Sequence, residues 1–229
     1  MPVHVKFLHR FPLLSNLSEE TLAALAPAVE LRSILRRGVA MQKGGVGLGL
    51  GFLLDGCLQG VDFTLDGREV GLYFVNTGDY FGELGVVDQR GLPELVIALV
   101  KSEILFMPEV TARNLLFTFP TIAEQVMLRL ANRVRAGVSQ RTLLSLPNPT
   151  QRVCAQLLLM LAPDTDVINY APTHQELAIM INVSRETVTR VFQSLLGQHV
   201  LVRDGNRIVV PDVVTLREIA EGQSGVDKL

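Results

Sequence analysis

The chain has 229 residues, a formal net charge of −2 and two cysteines, Cys57 and Cys154, room for one large domain or two small ones. Near-neutral charge singles out no polyanionic partner, and two distant cysteines exclude a disulfide framework or a four-thiolate cluster. With no apolar run near the roughly 18 residues of a membrane span, and no secretory signal in MPVHVKFLHRF, a cytoplasmic chain without membrane association is expected.

Ser18-Glu19-Glu20 opening onto Leu22-Ala23-Ala24-Leu25 predicts a short helix. From Leu31 to about Phe106, short apolar segments alternate with the turn signals Leu54-Asp55-Gly56, Leu65-Asp66-Gly67 and Asn76-Thr77-Gly78-Asp79. Strands at roughly ten-residue spacing predict a β sandwich or jelly roll. The glycine-rich run Gly44 to Gly51 lacks the Gly-Lys-Ser/Thr ending of a phosphate loop and leads into strand-like Phe52-Leu53-Leu54, so it reads as a turn within the jelly roll. Pro120 then suits the first turn of a long helix. Ala123, Met127, Leu130, Val134, Gly137, Arg141 and Leu144 recur at alternating spacings of four and three, the seam of a coiled coil. Pro147-Asn148-Pro149-Thr150 breaks that helix. The chain thus reads as α+β, with a jelly-roll sensor domain (1–118), a dimerisation helix (119–146) and a C-terminal domain (147–229).

The C-terminal domain carries the densest local signals. Thr173-His174-Gln175-Glu176 has the form of a capping box before Leu177-Ala178. Asn182 suits a tight turn, and Ser184 is a good N-cap for a second helix from Arg185 to about Leu196. Two capped helices joined by about three residues have helix-turn-helix dimensions. Val188, Val191, Phe192 and Leu195 form the inward stripe of the second helix, leaving Arg185, Glu186, Thr189, Arg190 and Gln193 outward. Arg can donate twice to guanine O6 and N7, and Glu can accept from cytosine N4, so this face suits base reading. The same face also fits a solvated Glu186–Arg190 pair. Val200-Leu201-Val202-Arg203, then Asp204-Gly205-Asn206, then Arg207 to Val210 spells a hairpin with a tight Asp204-Gly205 turn directly after it, the wing of a winged helix. Residues 147–229 hold 7 Lys/Arg against 9 Asp/Glu, so phosphate contacts must be local, from Thr173, His174, Gln175, Ser184 and helix N-termini.

Val183-Ser184-Arg185-Glu186-Thr187-Val188-Thr189-Arg190 and Gly78-Asp79-Tyr80-Phe81-Gly82-Glu83-Leu84 resemble the corresponding segments of the cyclic-AMP receptor protein/FNR (Crp-Fnr) family of bacterial regulators. The resemblance covers nearly the whole chain. It implies an N-terminal cyclic-nucleotide-binding-type β jelly roll, a long dimerisation helix and a C-terminal winged helix-turn-helix. It further implies a homodimer on palindromic double-stranded DNA, read by Arg185, Glu186 and Arg190, with RNA polymerase as a candidate protein partner. The sensor departs from the pattern. Cyclic-AMP binders of this family follow Phe-Gly-Glu with an Arg-Ser or Arg-Ala pair that holds the cyclic phosphate. Here that stretch reads Leu92-Pro93-Glu94-Leu95-Val96, and Glu94 would repel a phosphate. Cyclic AMP is therefore disfavoured. Some members lacking the phosphate arginine respond to cyclic di-GMP, which is the favoured effector over cyclic AMP, with Gly82, Glu83, Arg68, Arg90, Arg135 and Arg141 as candidate contacts. A ligand-independent DNA binder, or a sensor acting on a protein partner, is the alternative. The histidines His4, His9, His174 and His199 have no metal-ligand spacing, and no catalytic constellation is present.

Overall fold

A computed structural model describes residues 3–45, 49–161, 165–169 and 171–223. The chain forms two compact units, Met1–Val134 and Arg135–Leu229.

The first unit opens with α1 (Val5–Leu8) and α2 (Glu19–Leu25). The strands that follow are β1 (Glu30–Ile34), β2 (Val39–Met41), β3 (Gly49–Asp55), β4 (Cys57–Phe63), β5 (Glu69–Asn76) and β6 (Tyr80–Phe81). After α3 (Glu83–Asp88) come β7 (Leu95–Ala98) and β8 (Ser102–Pro108), then α4 (Glu109–Thr118) and the long α5 (Pro120–Ser145). Two four-stranded antiparallel sheets, ordered β1-β8-β3-β6 and β2-β7-β4-β5, make the jelly roll. Leu53, Phe81, Ile104 and Phe106 of the first sheet meet Met41, Leu58, Val75 and Val96 of the second in one core. The first sheet is buried on its other face as well, where Leu50, Phe52, Leu54, Leu105 and Met107 pack against residues of α1, α2, α4 and the start of α5. That double burial explains why β3 is buried from Gly49 through Leu54 and carries the unbroken apolar run Phe52-Leu53-Leu54. The turn expected across Gly44–Gly51 falls partly outside the described residues; Gly49 to Gly51 form the start of β3.

The second unit contains the end of α5, then α6 (Pro149–Met160), β9 (Val167–Ile168), α7 (His174–Ile181), α8 (Arg185–Gly197), β10 (Val202–Asp204), β11 (Arg207–Val209) and α9 (Val213–Glu221). The division between the two units falls inside α5. Ile122 and Val126 of its first turns are sealed into the first core, whereas Leu143 near its end is buried and Gln140 donates from Nε2 to the Met180 carbonyl at 3.0 Å. The apolar positions of α5 accordingly split into two sets. Ala123 and Leu130, expected in the seam, pack against the first unit's own core. Met127, Val134 and Val138 are 63%, 69% and 63% exposed. The free row therefore runs through Met127, Ala131, Val134 and Val138. Among the described residues, no helix is long and apolar enough to cross a membrane.

Candidate DNA interface and sensor site

The helix pair α7–α8 is built from local capping. Thr173 Oγ1 accepts from Glu176 N at 3.2 Å, and Glu176 Oε2 accepts from Thr173 N at 2.8 Å. Asn182 closes α7 in the left-handed region at φ 52°, and Ser184 Oγ accepts from Thr187 N at 3.1 Å to start α8. Arg152 secures the turn between them, its Nη1 donating to the carbonyls of Ile181 (3.4 Å) and Asn182 (3.2 Å). The sequence reading missed Arg152, because these two carbonyls lie about thirty residues away.

Val188, Val191, Phe192 and Leu195 of α8 are buried, while Arg185, Glu186, Arg190 and Gln193 are exposed. The Glu186 carboxyl is held below the usual range by hydrogen bonds from its own backbone N–H and the Ser184 hydroxyl. It therefore stays an ionised acceptor. Thr189, expected to face DNA, is half-buried and hydrogen-bonded within the fold. Its hydroxyl donates to the Arg185 carbonyl at 2.9 Å, and His174 Nδ1 lies 2.9 Å from the same oxygen. With the hydroxyl proton so placed, His174 must donate from Nδ1. Burial, and then the nearby charges of Arg203 and Arg185, push the His174 pKa down. Thr173, Gln175 and Ser184 are exposed at the starts of the two helices.

The wing forms with Val202 opposite Val209 and Asp204 opposite Arg207. Gly205, at φ 57°, is the first of the two turn residues Gly205-Asn206, so the tight turn lies one residue later than the Asp204-Gly205 pairing expected. Arg203 and Arg207 stand exposed on its two strands. They were not singled out from the sequence, although arginines flanking Asp204-Gly205-Asn206 were the available signal. β9 extends the hairpin to three strands. Between α8 and the wing lies an apolar hollow of about 100 Å³, smaller than the roughly 300 Å³ lower bound for drug-sized ligand sites.

In the first unit, Gly82 holds φ +90°, and a Cβ there would lie 2.4 Å from the Gly49 carbonyl oxygen. It turns the chain so that Glu83, only 1% exposed, begins α3 beneath the jelly roll. Of the arginines proposed from the sequence, Arg68 pairs with Asp66 on the exposed β4–β5 hairpin, Arg90 is exposed after α3, and Arg135 and Arg141 belong to the second unit.

The arginines at Glu83 are Arg129 and Arg133, one turn apart on α5. Arg133 Nη1 donates to Glu83 Oε1 at 2.9 Å and Nη2 to Glu94 Oε1 at 3.2 Å, with its guanidinium 4.2 Å from the Tyr73 ring centroid. Arg129 lies 3.5 Å from Glu83 and 3.6 Å from Asp79, stacks over Tyr80 at 4.2 Å and donates to the Tyr80 carbonyl. The Tyr73 hydroxyl donates to Glu94, itself 2% exposed. Burial opposes the Arg133 charge, but Tyr73, Glu83 and Glu94 around it prevail and raise its pKa. Burial pushes Tyr80 up to about 12, so its phenol stays neutral. Pairings across 39 to 50 residues left no local sequence signal for these arginines.

Two family models match the chain: a cyclic nucleotide-binding domain over residues 31–119 and a Crp-like helix-turn-helix domain over residues 151–219. The cAMP-activated global transcriptional regulator CRP of Pasteurella multocida is 31% identical over 69% of this chain and 79% of its own length. The chain belongs to the Crp-Fnr family. The cyclic AMP receptor protein of Thermus thermophilus is 26% identical over 92% of this chain and 97% of its own. The structure of FixK2 from Bradyrhizobium japonicum shares the fold, with a TM-score of 0.72, 18% identity, and coverage of 83% of this chain and 96% of that one. This Crp-Fnr chain is a DNA-binding transcription regulator with a cyclic nucleotide-binding domain, and its relatives are regulators rather than enzymes.

Proposed function

We propose that the chain acts as a homodimer that reads a two-fold symmetric DNA site through Arg185, Glu186 and Arg190. The observation that carries this reading is the sorting of α8, with three charged side chains exposed above a fully buried apolar stripe. Arg203 and Arg207 on the wing, with Thr173, Gln175 and Ser184 at helix starts, supply phosphate contacts that a domain without basic excess must make locally. The exposed row Met127, Val134 and Val138 is the proposed dimer surface. Two-fold symmetry would set the reading helices in major grooves about 34 Å apart. Selection from a random duplex pool by the purified protein tests this. Enrichment of an inverted repeat with half-sites about one helical turn apart is expected, and a direct repeat or no enrichment refutes it.

A second reading concerns the effector. Cyclic di-GMP needs guanidinium groups free to face guanine and phosphate, and the two beside Glu83 are engaged with protein carboxylates. Cyclic AMP, named for the relatives, would bring its phosphate towards buried Glu94. The ligand-independent binder is therefore favoured over both. Anisotropy on the selected site, with and without each nucleotide, tests it; a gain of affinity with either rejects this form of the reading.

A further inference from the structure

Tyr73, Glu83, Glu94, Arg129 and Arg133 share one place between α5 and the jelly roll. Burying two carboxylates to 1% and 2% exposure is costly unless cations and donors meet them. Arg133 bridges both, one nitrogen of its fork on each. The Tyr73 hydroxyl adds a donor to Glu94, and the Tyr73 ring lies against the same guanidinium. The ring has room because position 60 is glycine; a Cβ there would lie 2.5 Å from it. Three carboxylates, Asp79, Glu83 and Glu94, face two guanidinium groups, and Glu83 Oε2 is buried with no hydrogen-bond partner. The place is net negative and built for a planar donor.

We propose that this sensor site takes a guanidinium rather than a cyclic phosphate, and that its resident ligand is the side chain of the chain's own Arg133. The planar fork donates to separate carboxylates at once, which a point-like ammonium does less well, and it stacks on an aromatic face. An anionic nucleotide would have to displace Arg133 and then meet Glu83 and Glu94 unmasked. The jelly roll thereby fixes α5 without a diffusible effector. This deepens, and rests on, the ligand-independent reading above.

Thermal melts of the full chain and of Arg133→Ala, with cyclic AMP, cyclic di-GMP and n-propylguanidinium chloride, test the proposal. The wild-type melting temperature should stay put with either nucleotide. The variant should melt lower, and n-propylguanidinium at millimolar concentration, far below denaturing levels, should raise it saturably while leaving wild type unchanged. A variant as stable as wild type, or one that n-propylguanidinium does not stabilise, overturns the proposal. Should Arg133→Ala fail to fold, the wild-type titration still decides, since a saturable rise with either nucleotide overturns it. Binding of the selected DNA site is scored alongside. Ligand-free wild type that does not bind overturns the ligand-independent reading. Ligand-free binding with no guanidinium effect on the variant overturns only the role of Arg133.

Discussion

Replacing Arg185 with Ala probes the DNA interface with little collateral effect on the fold. Arg185 is the first residue of α8, is exposed, and follows the Ser184 cap whose bond to Thr187 N does not involve its side chain. Alanine is the best helix former, so α8 should be retained. A bidentate arginine–guanine pair contributes about 1–3 kcal/mol of discrimination. Two-fold symmetry doubles the loss to about 2–6 kcal/mol, or about 25-fold to about 10⁴-fold in affinity for the selected site. Fluorescence anisotropy with the selected and a scrambled duplex, across a series of salt concentrations, measures it. The preference for the selected duplex should collapse while the salt slope stays close to wild type. An equal loss on both duplexes, with the slope reduced by about one per half-site, would mean that Arg185 touches phosphate, and would refute the base-reading assignment.

Val138→Glu places a charge on the exposed row of α5, where Val138 is 63% exposed. Sedimentation should show a monomer with an unchanged circular dichroism spectrum, and a dimer of wild-type affinity would move the interface elsewhere. Gly60→Ala forces a methyl to within 2.5 Å of the Tyr73 ring, so chemical denaturation should show a loss of about 1–3 kcal/mol. His174 carries its proton less readily in the folded chain than at the ordinary value of 6.5. Between its lowered value and 6.5 the unfolded chain binds more protons, so this contribution to stability is fully present above 6.5 and is lost as pH falls through that window. His174→Gln should flatten the acid side of a melting-temperature profile, and an unchanged profile would count against His174 as its source.

The helix-turn-helix pair α7–α8 was legible in the sequence because its chemistry is local. Thr173 with Glu176, Asn182, and Ser184 with Thr187 act within a few residues of one another. The site around Glu83 was half legible. Gly82 and Glu83 announce the turn, and Glu94 announces a phosphate-averse pocket, but Arg129 and Arg133 find partners only after the chain returns across the sheets. Arg68, chosen by residue type alone, has a nearer counter-ion in its neighbour Asp66. At Ala123 and Leu130 of the expected α5 seam the first unit's own core packs in, because heptad spacing reports that a helix has an apolar face, not whether its own domain or another chain covers it. Helical periodicity points Thr189 outward, but it gives no sign of the His174 ring that meets its oxygen from a different helix.

The double burial of β3 sets an order of opening for the first unit. Its amides pair with β8 and β6 while apolar layers cover both faces of the sheet, so they should exchange with solvent only when the whole unit unfolds. The β4–β5 hairpin has no such cover at its far end, where Phe63 and Leu65 are 53% and 111% exposed. Deuterium should enter there first, and a first unit that loosens locally will loosen from that hairpin while the sheet between core and helices remains shut.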